Sequence, residues 1–409
     1  MLARALERAH SSALRRTMYR RFIFTLLTIV LAFKATWFYR SDRSLIDFDL
    51  FHIASEHFWL GDLDRVYDFL SLVELEKNSA VGKTSFMPWT YPPQFDLLVA
   101  PLSFFPVGCA YFLFIGTTLI FYLVILWQIS GDRFSLLLLI LLPALLITLV
   151  CGQNGFLTGG LIGLACLSIE RRQALAGLSL GMMVIKPHLA VALAVYSVLA
   201  RKWIAILVAG VVVLASSLLC TLILGPRIWT AFLVSAHVSA IFLDRGYYPL
   251  FRMISTYASL RAIGCSATVA FSGQGVVAAI GLSFIVVAAY RHFPIKWTLG
   301  IAALVSVQIS PYAYDYDLPI LGVGLALLLP DLMNLAYERE RSAIFGLIIA
   351  VGFYSSLQSI RLKLQFGDGA DLSDRLVPSI GGVLLFLMLA VAFNVLGRHV
   401  ATRSTALLP

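Results

Sequence analysis

Long apolar runs separated by short polar breaks dominate the chain from residue 22 to residue 396. Such runs predict membrane-spanning helices, because about 20 apolar residues cross the hydrocarbon layer of a bilayer. A transmembrane β-barrel would instead show alternating segments of about ten residues. We therefore predict an all-α polytopic membrane protein, a single domain over residues 1–409 with about 12 transmembrane helices. The candidate spans are residues 22–38, 107–129, 134–150, 155–169, 174–185, 188–200, 203–224, 273–290, 297–309, 318–336, 342–357 and 378–396.

Two of the apolar runs are short for a span. Residues 93–106 lie between prolines, and we expect them to be re-entrant or interfacial. If they span instead, the orientation of every later helix reverses. The run 174–185 is also short, so its helix is expected to continue through the adjacent polar motif, which would then line a cavity at membrane depth.

Composition agrees with a membrane protein. Of the 409 residues, 60% are hydrophobic and 13% are charged, and the mean hydropathy is +0.88. These values exclude a soluble enzyme, a disordered protein and a fibrous repeat. The five cysteines lie in or beside apolar runs without a CxxC pair, which is typical of small buried side chains.

Charge predicts the orientation of the chain. The net charge is +9, and residues 1–21 contain six arginines and one acid. Residues 40–90 contain nine acids and five bases. Because basic loops stay in the cytoplasm, we expect both termini there and no nucleic-acid partner. Residues 40–92 are then a first outer loop with interfacial helices.

On this topology the unusual polar residues collect at the outer face. Polar groups near hydrocarbon are costly and usually mark a functional cavity, so we expect a site at the outer leaflet. The outward-facing polar segments are residues 40–92, 152–154, 186–188, 225–272, 310–317 and 358–377.

Asp47 and Asp49 follow the first span, and His52 comes just after them. A carboxylate at the end of a span is well placed as a general base, although a solvated acid in an acidic loop is the simpler interpretation. The stretch Ile53 to Leu60 is predicted to be an amphipathic helix on the membrane surface.

Amide, basic and aromatic side chains supply further candidates. Gln153 and Asn154 follow a glycine, where they form a simple turn or bind sugar hydroxyls. Lys186 lies in an apolar run, where it either binds an anionic phosphate or snorkels to the interface. Tyr91 precedes two prolines, which favour a loop-to-helix boundary.

The last polar segment pairs acids with tyrosines. Asp315 and Asp317 lie among Tyr312, Tyr314 and Tyr316. Paired acids of this kind bind either a divalent cation or a sugar. The 225–272 loop carries four arginines, which could meet lipid or substrate phosphates, and residues 249–263 are expected to lie in the interface.

At these motifs the sequence resembles the bacterial polyprenyl-phosphate-mannose-dependent α-mannosyltransferases, glycosyltransferase family 87, which have a GT-C fold. Five short motifs carry the resemblance across residues 40 to 330. They are Asp47-Phe48 with Ala54 and Gly61; Tyr91-Pro92-Pro93 with Ala100-Pro101-Leu102 and Pro106; Gly152-Gln153-Asn154; Ala176-Gly177 with Gly181 and Lys186-Pro187; and Ser310-Pro311 with Tyr314-Asp315. The family often carries histidine after the last aspartate, where this chain has Tyr316 and Asp317.

The resemblance implies a mechanism. A lipid-linked sugar enters from the outer leaflet, Asp47 deprotonates the acceptor hydroxyl, and the sugar is inverted as the polyprenyl phosphate leaves. Lys186 and Arg245 would neutralise that phosphate. The predicted substrate-binding set is Asp49, His52, Tyr91, Gln153, Asn154, Lys186, His188, Arg245, Tyr314, Asp315 and Asp317.

The main prediction is thus a hexosyltransferase of the bacterial cytoplasmic membrane. Its expected partners are a polyprenyl-phosphate-linked donor, a glycolipid or glycan acceptor and membrane lipids. No metal ligand is predicted, and Mg²⁺ or Mn²⁺ stays open as a cofactor. One alternative is a transporter or flippase, although no internal repeat is evident. The other is a non-catalytic envelope-polysaccharide assembly protein, because a fold does not fix an activity.

Overall fold

The computed structural model describes residues 2–4, 6, 12–40, 43–79, 86–366 and 377–405. Within these ranges the chain is helical, and its β-structure is one isolated bridge, between Met253 and Tyr314. The helices are α1 (Ala13–Trp37), α2 (Asp47–Leu60), α3 (Asp64–Tyr67), α4 (Phe69–Ser79), α5 (Pro93–Val99), α6 (Val107–Ser130), α7 (Phe134–Cys151), α8 (Gly155–Ser168), α9 (Gln173–Met182), α10 (Val191–Leu199), α11 (Trp203–Leu224), α12 (Arg227–Arg245), α13 (Thr256–Ala262), α14 (Ala267–Tyr290), α15 (Ile295–Ile309), α16 (Pro319–Leu335), α17 (Glu338–Phe366) and α18 (Gly381–Thr405).

The all-α polytopic prediction is confirmed. By length and composition, six candidate spans occur in the described ranges. They are Val107–Cys151, Trp203–Leu224, Arg227–Arg245, Ala267–Tyr290, Glu338–Phe366 and Gly381–Val400. The first of these contains two helices, α6 and α7, joined by a 3₁₀ turn. Four shorter apolar helices accompany them, so the total of about 12 stays a prediction.

The segment 225–272, which the sequence pattern assigns to an outer loop, contains a long helix. α12 has 19 residues and is a candidate span. Arg227, His237 and Asp244 interrupt its apolar residues, and for this reason the pattern does not reveal it. The predicted outer segment 358–377 is helical as far as Phe366, and most of its remainder lies outside the described residues.

Residues 93–104 form α5 and a 3₁₀ helix, Ala100–Phe104, of seven and five residues. Seven helical residues rise only about 10 Å, too little to cross a bilayer. The prediction that this segment does not span is consistent with these lengths. The predicted surface helix Ile53 to Leu60 is the second half of α2.

The interior of the bundle lies around α8, α15 and α16, where most side chains are buried. α11 is largely exposed instead of buried, since Leu207, Leu214 and Leu222 are each more than two-thirds exposed. Exposed leucines on a candidate span face lipid, not water. The polar turns are thus placed by a rigid, apolar scaffold.

Two glycines hold the turn between α7 and α8 against neighbouring segments. Gly152 has a φ of +70°, and a Cβ there would lie 2.7 Å from the Cβ of Phe48. A Cβ on Gly155 would lie 1.8 Å from the carbonyl oxygen of Tyr316. Only glycine permits both the left-handed backbone and these approaches. The turn therefore lies between the start of α2 and the segment 314–317.

Candidate active site

Six segments that are distant in sequence surround one cavity of about 430 Å³. The segments are the start of α2, residues 86–92, Gln153, residues 185–188, residues 248–252 and residues 312–317, with one face of α12 closing the side. The predicted candidates Asp47, Tyr91, Gln153, Lys186, His188, Tyr314 and Asp317 all line it. The fold therefore brings together most of the residues that the polar pattern singles out.

Asp47 is the first residue of α2 and is half-buried in the cavity wall. Burial raises the pKa of its carboxyl group above the usual range, and Asp315 raises it further. Arg252, a hydrogen bond from Gln153 and Lys186 act in the opposite direction. Asp47 makes no ion pair with any described residue. A carboxylate with a raised pKa and no bound cation is suited to accept a proton.

Lys186 crosses the cavity floor to Asp317. Its Nζ lies 2.8 Å from Asp317 Oδ1, and the two side chains are 9% and 2% exposed. Asp317 Oδ2 also accepts the backbone N–H of Tyr314 at 3.1 Å. The ammonium group lies 4.8 Å from the centre of the Tyr316 ring. The lysine side chain is therefore held in place by a carboxylate and an aromatic ring, and a buried ionic group needs such partners.

Arg252 supplies the second cation. Its Nη2 and Nε donate to the two carboxylate oxygens of Asp315 at 3.1 and 3.2 Å, in a bidentate pair. Nη2 also donates to Cys151 Sγ at 2.9 Å. Nη1 has no hydrogen-bond partner among the described residues. The guanidinium is thus oriented by its carboxylate and keeps donors for an anionic ligand.

The amide and aromatic residues line the same space. Tyr91 donates to Gln153 Oε1 at 2.8 Å, which leaves the amide NH₂ group of Gln153 as a donor to other groups. The rings of Tyr314 and Tyr316 are stacked, 5.2 Å apart and 5° from parallel. Flat aromatic faces beside amide and carboxylate groups are a suitable environment for a sugar ring.

A buried carboxyl group fixes the segment 86–92. Asp96 of α5 accepts hydrogen bonds from Tyr67 Oη at 2.6 Å and from Trp89 Nε1 at 3.1 Å. Tyr67 also donates to the carbonyl oxygen of Tyr91. Burial raises the pKa of Asp96 to about 8. Ser235 of α12 donates to the carbonyl oxygen of Trp89, so the cavity wall is tied to α12 as well.

Five predicted residues lie away from the cavity lining. Asp49 pairs with Arg43 at 2.6 Å and caps the start of α2 by accepting the N–H of Ile46. His52 contacts the carbonyl oxygen of Phe105 and the carboxylate of Glu56.

The other residues away from the lining are an amide, an arginine and an aspartate. Asn154 precedes α8 and is fully buried, and neither of its side-chain polar atoms has a hydrogen-bond partner in the part of the chain that the structure describes. Arg245 ends α12 on the exposed surface, away from the cavity, whereas Arg252 lines it. Asp315 lies behind Arg252 and reaches the cavity only through it.

Sequence reasoning missed the aromatic and basic residues between the motifs. Arg252 was one of four arginines in the predicted loop, with no signal to prefer it to the others. Trp89, Phe232, Tyr248 and Tyr316 also line the cavity. Apolar and aromatic residues in a membrane protein carry no periodic signal for a site, because the same residues serve as lipid contacts.

The described residues contain no group of three or more His, Cys, Asp and Glu side chains close enough to hold a metal ion. Asp315 and Asp317 are instead each bound by a basic side chain. The cavity thus offers one carboxylate without a cation, two oriented cations and an aromatic wall. Together these groups can remove a proton from a hydroxyl and stabilise a phosphate leaving group.

The chain was compared with solved structures, curated proteins and family models. ArnT from Cupriavidus metallidurans, a crystal structure with bound undecaprenyl phosphate, is similar at 14% identity and a TM-score of 0.42, over 96% of this chain and 79% of that chain. No curated protein matches the sequence.

The family comparison covers more than half of the chain. The glycosyltransferase family 87 model matches residues 89–311. That range includes Tyr91, Gln153, Lys186 and Arg252, while Asp47 and the segment 314–317 lie outside it. This chain belongs to glycosyltransferase family 87.

Proposed function

We propose that this membrane glycosyltransferase moves a hexose, with mannose as the first choice, from a polyprenyl-phosphate donor to a lipid or glycan hydroxyl. We place the reaction at the outer face of the bacterial cytoplasmic membrane, with both termini in the cytoplasm and a GT-C-type fold. The observation that carries the proposal is the cavity itself, where Asp47 lies without a bound cation between the Lys186–Asp317 and Arg252–Asp315 pairs.

Asp47 acts as the general base. It takes the proton from the acceptor hydroxyl while that oxygen attacks the anomeric carbon of the sugar. The bond between the anomeric carbon and the phosphate oxygen breaks in the same step, and the electron pair leaves with the polyprenyl phosphate. Because Asp315 and Asp317 are bound by cations, Asp47 is the only lining carboxylate among the described residues that is free to accept this proton. A single displacement inverts the anomeric centre.

Arg252 and Lys186 bind the leaving phosphate. Each cation is oriented by a buried carboxylate, so little reorganisation is needed as charge develops on the phosphate. Gln153 and the stacked tyrosines Tyr314 and Tyr316 contact the sugar. The side of the cavity formed by α12 is mainly apolar, with Phe232, Ala236 and Ala240 beside Ser239, and accommodates the first isoprene units of a lipid-borne donor.

The test is sugar transfer by the purified protein in nanodiscs, with radiolabelled polyprenyl-phosphate-mannose and a native lipid mixture, with and without EDTA. Asp47→Asn is compared with Asp64→Asn, which changes an exposed acid of the same segment. We expect Asp47→Asn to reduce transfer about 100- to 10,000-fold while donor binding persists, and Asp64→Asn to behave as wild type.

The dependence of the transfer rate on pH is a second test of the base assigned to Asp47. Because the pKa of Asp47 is raised, transfer should fall as the pH drops through that pKa and the base becomes protonated. Full activity in Asp47→Asn would remove the assigned base. Absence of transfer from any polyprenyl-phosphate sugar, with the lipid moved across the bilayer instead, would favour the flippase alternative.

A further inference from the structure

A second cavity lies on the lipid-facing side of the bundle, between α1 and α6. Its volume is about 700 Å³, and its walls are apolar apart from Arg20 and two threonines. The Thr117 hydroxyl donates to the carbonyl oxygen of Leu113 in its own helix, so it offers no donor to the groove. Gly116 lies next to Leu31 of α1, and a Cβ on it would lie 3.4 Å from Leu31 Cδ2, at ordinary contact distance. The groove therefore matches a hydrocarbon chain in shape and polarity.

One end of this groove opens into a polar pocket of about 590 Å³. Arg20, Trp127 and Phe134 line both spaces, so the two are continuous. The pocket adds Arg16, and Arg16 and Arg20 are four residues apart and share one face of α1. Asp132 is the acid that lines the pocket, and neither arginine forms an ion pair with it or with any other described residue.

The polar pocket lies far from the catalytic cavity. From Arg16 to Trp37, α1 rises about 32 Å, close to the thickness of the hydrocarbon layer. Asp47 follows the far end of α1, whereas the near end is fixed by a hydrogen bond from Ser135 Oγ to the carbonyl oxygen of Arg16. Trp127, which is 54% exposed, lies at this near end, as tryptophan does at membrane interfaces. With α1 as the first span, as the sequence predicts for residues 22–38, the pocket belongs to the leaflet opposite the catalytic cavity.

We propose that this groove is a binding site for one anionic glycerophospholipid of that opposite leaflet. Its phosphate lies between Arg16 and Arg20, and one acyl chain occupies the groove between α1 and α6. Two arginines against one aspartate give the pocket a net positive charge, which selects an anionic over a zwitterionic headgroup. The lipid would fill the space between the first helix and the bundle, and so hold α1 and the Asp47 end of the chain in place.

The experiment measures retained lipid by native mass spectrometry of the full-length protein, titrated with phosphatidylglycerol or phosphatidylcholine. Arg16→Gln with Arg20→Gln is compared with Arg15→Gln with Arg21→Gln, which removes the same charge from exposed positions of α1. Removing two lipid-facing arginines should weaken phosphatidylglycerol binding about thirty-fold, at about fivefold for each arginine. The control pair should change it less than threefold.

A third variant tests the groove without changing charge. Thr117→Trp places a large ring in the apolar space and should displace the lipid although both arginines remain. Equal losses in the two arginine pairs would mean diffuse attraction, and equal retention of phosphatidylcholine would mean annular lipid; either result overturns the proposal. Tighter retention of undecaprenyl phosphate than of phosphatidylglycerol, lost on Arg16→Gln with Arg20→Gln, would overturn the assigned occupant. None of these outcomes depends on sugar transfer, so failure of the proposed function is a separate result.

Discussion

Breaking the Lys186–Asp317 pair should destabilise the fold more than any surface ion pair. The two charged atoms lie 2.8 Å apart with side chains 9% and 2% exposed, so removal of one partner leaves a buried charge without compensation. Asp317→Asn keeps an oxygen for the N–H of Tyr314 but leaves the ammonium group unpaired. We expect the free energy of unfolding to fall by about 3–5 kcal/mol.

The pair can be removed without leaving a buried charge. Lys186→Met with Asp317→Asn replaces both ions by neutral side chains of similar size. A buried ion pair contributes little net stability relative to neutral partners, so the double variant should recover most of the loss. Because each single loss is about 3–5 kcal/mol and the double variant recovers most of one such loss, the coupling free energy between the two sites should be about 4–8 kcal/mol in magnitude. Transfer should stay low in all three variants, because the cation that faces the leaving phosphate is absent or misplaced.

The assay is unfolding in detergent micelles by titration with SDS, followed by size-exclusion chromatography, with transfer measured on the same samples. Lys202 and Glu170 provide the matched control, because their charged atoms are also 2.8 Å apart but their side chains are 15% and 33% exposed. The same cycle there should cost less than about 1 kcal/mol. If the single substitutions at Lys186 and Asp317 each lower the free energy of unfolding by less than that value, and if their effects add in the double variant, the buried-pair argument is refuted.

Three further predictions follow from the site. Arg252→Gln should reduce sugar transfer at least about 100-fold and lower the free energy of unfolding. Arg245→Gln, at the exposed end of α12, should keep transfer within about twofold of wild type in the nanodisc assay. Gly155→Ala should lower the thermal midpoint and the transfer rate together, because its Cβ meets the carbonyl oxygen of Tyr316 at 1.8 Å; an unchanged midpoint would contradict the close packing. The pKa of Asp96 is about 8, so between pH 6 and pH 8 the folded protein keeps a proton on this carboxyl group that the unfolded chain has already lost. The free energy of unfolding should therefore fall by about 2 kcal/mol from pH 6 to pH 8. Asp96→Asn should remove this pH dependence.

Much of the site was predictable from residue types alone. Asp47, Tyr91, Gln153, Lys186 and Asp317 stand out because polar residues are rare in or beside apolar runs and costly there. The same logic predicts the helices, since every long apolar run in this composition must satisfy its backbone hydrogen bonds internally. A local pattern is enough for both inferences.

Partners distant in sequence were not predictable. Lys186 and Asp317 are 131 residues apart, and Arg252 and Asp315 are 63 apart, so their pairing depends on how the helices pack. The segment around Arg252 is placed by the N–H of Ile254, which donates to the carbonyl oxygen of Ala313. Apolar periodicity says which residues face inward and leaves their neighbours on other helices undetermined.

Arg245 and Arg252 are two arginines that the residue pattern does not distinguish and the packing of the helices does. On a continuous helix, residues seven apart would share one face, and the sequence offers no reason to separate them. The helix ends instead at Gly246, whose φ of +78° turns the chain, so that Arg245 remains on the surface and Arg252 enters the cavity. A helical membrane protein with polar residues gathered near a few turns can be inferred from the residue pattern alone. Which of those residues meet follows only from the packed helices, because it depends on where each helix ends and on what packs against it.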